Sequence, residues 1–379
     1  MRSLLLSFFL LLSIAGSSYA QFNSTAIENR IRPDSTATGE VHLNFYNFNY
    51  VRNYEYSNPF HDGYTLYGTQ LQPELVYYAH PNLAIVMGAY MRKDFGNDRG
   101  LYDSKLLFAL KYHKKDLTLN FGSLEGGIHH GYIEPLWDFE RQITDPIQYG
   151  TQLLIEKDKF KLDAWIAWQK MIYRASPVKE QIIGGLTTEV SLYKKNGWNL
   201  SIPAQFIAYH KGGQIDLEKD IPLQTLFNGA TGFKVSKATY GPVSSIYTSN
   251  YIVGYKDFSP TKQQAFQGGF GLWFNAGVES KYGSLAASYW KGNNFMTIKG
   301  MPLYESVSSN LYEFGYKESS RSIFLLRYAY QKELIPNLYL DVRLEPHIDL
   351  GTSRKESLQF QHSFFLTYKE NFRLFKVKK

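Results

Sequence analysis

Apolar and polar residues alternate one by one along most of this chain. Leu338, Leu340, Val342, Leu344, Ile348 and Leu350 share one side of an extended backbone; Tyr339, Asp341, Arg343, Glu345, His347 and Asp349 share the other. Phe266, Phe270, Leu272, Phe274, Ala276 and Val278 stand against Gln267, Gly269, Gly271, Asn275 and Glu279. The last such segment sets Leu358, Phe360, Phe364, Leu366 and Tyr368 against Gln359, Gln361, Ser363, Thr367 and Lys369. A period of two sustained over about ten residues marks a strand with one apolar and one wet face. It predicts about sixteen strands, over 40–53, 66–79, 82–93, 103–113, 116–124, 147–156, 159–171, 182–194, 197–210, 226–236, 242–256, 264–279, 283–292, 320–331, 336–349 and 355–369.

The links carry a second, independent pattern. Tight connections at 80–81, 114–115, near 158, and at 195–197, 282 and 336–337 alternate with longer ones at 54–65, 94–102, 125–146, 172–181, 211–225 and 293–319. Outer-membrane barrels have short periplasmic turns and longer outer loops, whereas a soluble sandwich has no reason to alternate link lengths. The expected fold is therefore all-β: a transmembrane up-and-down antiparallel barrel over 40–379, with both termini at the periplasmic end. Pro73, Pro203 and Pro346 interrupt otherwise regular strands. Proline lacks the donor a ladder needs, so each predicts a bulge or a strand end near a rim.

Charge decides which face is wet. An Arg or Lys facing lipid at midplane costs about 2–4 kcal/mol. Asp341, Arg343, Glu345, His347 and Asp349, joined by Arg327 on the preceding strand, are accordingly expected to line the interior. They read equally as an ion-pair ladder holding strands in register and as a charged pore wall. A barrel of this size has a radius on the order of 16 Å, more than wall side chains can fill. The link 125–146 is the candidate for an inward constriction, because Glu134, Trp137, Asp138, Phe139, Glu140 and Arg141 combine bulk with charge. Capping the rim or packing on a neighbouring subunit is the alternative.

Composition narrows the class further. The first twenty residues carry Arg2, an apolar stretch over 4–14 and Ser18-Tyr19-Ala20, which together read as an export signal. The expected organisation is a signal peptide over 1–20, a short periplasmic segment over 21–39, and the barrel. With no cysteine, lipidation of a new N-terminal thiol, disulfides, Cys-zinc sites and thiol catalysis are excluded. Aromatics reach 16%, as the girdles of a barrel require. Mean hydropathy is negative, and no apolar run beyond the leader is long enough for a spanning helix. The net charge of +7 is spread, with no basic run interleaved with aromatics to suggest nucleic acid.

Catalytic signatures are sparse. There is no G-x-S-x-G elbow and no H-E-x-x-H. His129-His130 is the conspicuous pair, yet neighbours on an extended chain point to opposite sides and do not easily share one metal. The expectation is a chain that is not an enzyme, with no catalytic residue, metal or cofactor. An enzyme acting on membrane lipid would need a Ser or His near the lipid-facing rim.

The stretches LQPELVYYAHPNLAIVMGAYMRKDFG (71–96) and FGSLEGGIHHGYIEPLWDFE (121–140) resemble outer-membrane barrel proteins of Bacteroidota. The pattern as a whole resembles the general porins, whose third outer loop, between strands five and six, folds into the lumen. That resemblance implies an outer-membrane channel for passive diffusion of small hydrophilic solutes, bathed in outer-membrane lipid and compatible with a homo-oligomer. The alternatives carried forward are a structural or assembly barrel of a surface or secretion complex, and a lipid-modifying barrel enzyme.

Overall fold

The computed structural model describes residues 24–377 apart from 99, 218–219 and 352–357. The expected signal peptide lies outside the described residues. Sixteen strands follow one another: Glu40–Glu55 (β1), Thr65–His80 (β2), Leu83–Asp94 (β3), Asp103–Lys114 (β4), Leu117–Ser123 (β5), Tyr149–Lys157 (β6), Phe160–Lys170 (β7) and Glu180–Lys195 (β8). The second half comprises Trp198–Gly212 (β9), Gln224–Ala238 (β10), Val243–Asp257 (β11), Gly268–Ser280 (β12), Gly283–Asn293 (β13), Ser320–Ile335 (β14), Leu338–Asp349 (β15) and Leu358–Lys376 (β16). Each pairs antiparallel with its chain neighbours, and β1 closes on β16. The tight turns gather at the end where the chain enters β1 and leaves β16, the periplasmic end in barrels of this kind. Asn196 and Gly197 both take positive φ there, which a two-residue hairpin turn requires.

The prolines behave differently from expectation. Pro73, Pro203 and Pro346 keep full register with β1, β8 and β16, as Phe45↔Pro73, Glu189↔Pro203 and Pro346↔Phe360. On the other side the ladder lapses and then resumes unshifted, as in Leu71↔Met91 followed by Glu74↔Gly88. The missing donor therefore opens one ladder locally without inserting a residue, so neither a bulge nor a rim results.

The lumen is packed. The link between β5 and β6 runs inward and touches walls on opposite sides. Thr187 on β8 donates to the His130 carbonyl (2.6 Å), and Tyr132 donates to the Phe206 carbonyl on β9 (3.0 Å). Across the barrel, Gln70 on β2 donates to the carbonyls of Gln142 and Ile143. The link between β13 and β14 docks on it, through Asp138 N to Lys299 O (2.8 Å) and Met301 N to Glu134 O (3.1 Å). Leu136, Trp137, Phe295, Leu303 and Tyr304 from these two links form one apolar cluster with Trp165, Trp273 and Trp290 of the wall. Residues 24–39 fill the other end. Rather than trailing below the barrel, this segment buries Ile27 against Tyr46, Phe48 and Phe365, and Ile31 against Val76, Tyr78 and Val86. A cavity of about 120 Å³ is left between the inward link and β11–β14.

Candidate functional site: a luminal ion network and a lipid-facing rim

β14 and β15 direct Arg327, Asp341, Arg343, Glu345, His347 and Asp349 to the interior, where all six are buried. The structure brings two of them, Arg327 and Arg343, directly against the inward link. Glu345 lies 3.5 Å from both Arg52 on β1 and Arg327 on β14. Arg327 reaches Glu134, and Tyr304 bridges the two by donating to Glu134 (2.7 Å) and accepting from Arg327 (2.9 Å). Arg343 pairs with Asp341 (3.0 Å) and stacks over the Phe139 ring at 4.1 Å. Asp349 stands apart, paired with Arg321 (2.6 Å), whose guanidinium covers the Phe60 ring. His347 has no hydrogen-bond partner among the described residues and sits edge-on to Tyr56 at 5.0 Å.

The remaining residues of the link complete the network. Tyr64 donates to Glu140 (2.6 Å), Arg141 donates to the Lys299 carbonyl (2.9 Å), and Trp137 stacks with Tyr132. Burial, with the Glu140 charge beside it, pushes Asp138 up to about 6. Burial pushes Lys299 down to about 8 and Glu305 up to about 7, each ionised form having lost its water. The wall arginines do pair with carboxylates, Arg52 and Arg327 with Glu345, Arg343 with Asp341 and Arg321 with Asp349, as buried charges must. What the arrangement does physically is lock the two links to the wall.

His129 and His130 also lie inside. His130 is held by Asp163 (2.7 Å) and Gln148 (2.8 Å) and stacks on Trp165. Arg30 of the N-terminal segment donates to His129, and burial holds His129 well below the usual range. Among the described residues no group of three His, Asp or Glu could hold a metal ion.

The outer surface carries a second constellation. Gln361 and Ser363 on β16 point inward, where they accept hydrogen bonds from Tyr56 and Arg52; His362 between them must therefore face the lipid, flanked by Phe360 and Phe364. Asn53 of β1 is its direct cross-strand partner. Thr65 on β2 donates to the Asn53 carbonyl oxygen (2.7 Å), and the Asn53 amide donates to Glu55. All four stand at the long-loop end of their strands. Beside them an open hollow of about 460 Å³ is bounded by 53–57, Gly63 and Tyr64. Strand alternation alone could have found this group. Position 362 is in phase with Phe360, Phe364 and Leu366, and Asn53 with Phe45 and Val51, so each is a polar residue in an apolar row.

Residues 31–377 match the family model described as lipid A 3'-O-deacylase-type. No curated protein matches the chain. Among solved structures, OprD of Pseudomonas aeruginosa superposes with a TM-score of 0.52 at 12% identity, covering 90% of this chain and 99% of that one. OmpT, an outer membrane protein of Vibrio cholerae, superposes with a TM-score of 0.51 at 9% identity, covering 87% of this chain and 100% of that one. At such identities the likeness concerns the fold, that of outer-membrane barrels. The family match corrects one expectation: a chain of this family is not to be read as lacking enzymatic function, because the family is described by an enzymatic activity.

Proposed function

The chain belongs to the lipid A 3'-O-deacylase-type family, and from that premise we propose that it is an outer-membrane hydrolase that removes an ester-linked acyl chain from an outer-leaflet glycolipid. The observation that carries this reading is His362, an imidazole facing lipid at the long-loop end beside Asn53. The long-loop end is the outer end of such a barrel, the side on which the headgroups of the outer leaflet lie. A histidine there can take a proton from water as the water oxygen attacks the acyl carbon, and return it to the alkoxide as the ester C–O bond breaks. The products are a fatty acid and the freed sugar hydroxyl. Asn53, held by Thr65 and Glu55, positions polar groups beside the imidazole. Phe360 and Phe364 supply an apolar wall for the acyl chain.

Passive diffusion of small hydrophilic solutes is the second reading. The inward polar rows favour it; the links and N-terminal segment packed across the lumen weigh against it. In the hydrolase reading the luminal network keeps the barrel rigid and shut while chemistry occurs outside. Lipid A from cells producing the wild-type chain is expected to lose the mass of one acyl chain, and His362→Ala is expected to lower that conversion by about 10²–10⁴-fold. Identical lipid A masses with and without the folded wild-type protein would overturn the proposal.

A further inference from the structure

A second polar group faces lipid, lower on the same side. In the middle of β1, Asn47 and Asn49 point outward, in phase with Phe45 and Val51; Thr69 on β2 lies directly across from Asn49. The three form a chain of hydrogen bonds. Asn49 donates to the Asn47 carbonyl oxygen (2.7 Å), and Asn47 donates to the Thr69 hydroxyl (3.0 Å). Further amide protons go to the Leu366 and Gln70 backbone carbonyls. Two functions remain without a partner among the described residues: the Asn49 side-chain oxygen at one end and the Thr69 hydroxyl proton at the other. Hydrocarbon offers neither a donor nor an acceptor, so amides at this depth are costly unless something polar covers them. The comparable pair on β11 is closed locally, since Asn250 donates to Thr248, Thr248 donates to the Asn275 carbonyl, and Asn250 accepts from the Asn275 amide.

The two open functions are complementary to themselves. A two-fold axis along the membrane normal, passing between Asn49 and Thr69, sets each Asn49 of one copy opposite Thr69 of the other. Two hydroxyl-to-amide hydrogen bonds then form across the axis, as an isologous interface demands. Tyr67 and Leu366, both exposed on the same face, supply an apolar surround. We propose that the mid-height outer face of β1 and β2, below the rim that carries His362, is the dimer interface of this protein and that its occupant is a second copy of the chain. The inference does not depend on the hydrolase reading.

Because the chain has no cysteine, a single introduced thiol reports the contact cleanly. Val51→Cys, next to the axis, is expected to give cross-linked dimers with a short bis-maleimide in native outer membranes. Leu119→Cys, exposed on β5, is expected to stay monomeric. Adding Asn49→Leu and Thr69→Val to Val51→Cys should lower the dimer yield about tenfold or more while the barrel keeps its heat-modifiable mobility. The proposal is overturned if Val51→Cys yields no dimer or links to a different protein, if Leu119→Cys cross-links equally, or if the doubly apolar variant dimerises unchanged.

Discussion

Single side chains in this barrel divide by whether a partner satisfies them. Glu345 stands between Arg52 and Arg327, with almost no exposure. Glu345→Gln leaves Arg52 without its carboxylate and Arg327 with Glu134 alone, and the loss expected for breaking a buried pair is about 3–5 kcal/mol. A fall in the urea midpoint of refolding into lipid checks this; an unchanged midpoint contradicts the bracing role. Glu305 is perturbed the other way. Its carboxyl accepts from the Thr297 amide near Arg321, yet burial raises it to about 7. A carboxyl raised in the folded state adds stability that is full below its unfolded value and gone once pH passes about 7. Glu305→Gln should therefore match wild type near pH 5 and exceed it by on the order of 1–2 kcal/mol near pH 8. Equal pH profiles for the two proteins would remove Glu305 from this role.

At the scale of elements, the inward links matter more than any strand. They meet at Gly300, where an added Cβ would lie 2.1 Å from the Pro135 carbonyl oxygen. Gly300→Val must therefore separate the two links, at about 1–3 kcal/mol, as overpacking does. Proteolysis of the folded barrel within 293–319 should accelerate in the variant and stay slow in the wild type; equal rates would mean that the links are held independently. The strands themselves were readable from sequence because period two is a local property, and Leu338–Asp349 carries its apolar and charged rows in full. Docking of 293–319 on 125–146 was not readable, since backbone bonds such as Asp138 N to Lys299 O leave no mark on residue type. Nor was the ascent of residues 24–39 into the barrel, where Ile27 and Ile31 look like any tail residues until walls surround them. His362 was readable in principle. Its phase with Phe360 and Phe364 places it on the lipid face, but a search for adjacent histidines leads instead to His129 and His130, which are luminal.

For the molecule as a whole, the β16–β1–β2 side of the barrel carries two polar departures from its apolar belt among the described residues. One is at the outer rim, around His362, and one is at mid-height, around Asn49. A packed lumen and an outward imidazole are what the proposed hydrolysis at the exterior rim rests on. Release of fatty acid is the most direct test: purified, folded wild-type protein and His362→Ala would be reconstituted in lipopolysaccharide-containing vesicles and the free fatty acid measured by chromatography over time. Hydrolysis at the rim requires steady release by the wild type and background release by the variant. No release from wild-type protein verified as folded, or equal release from both, would contradict it.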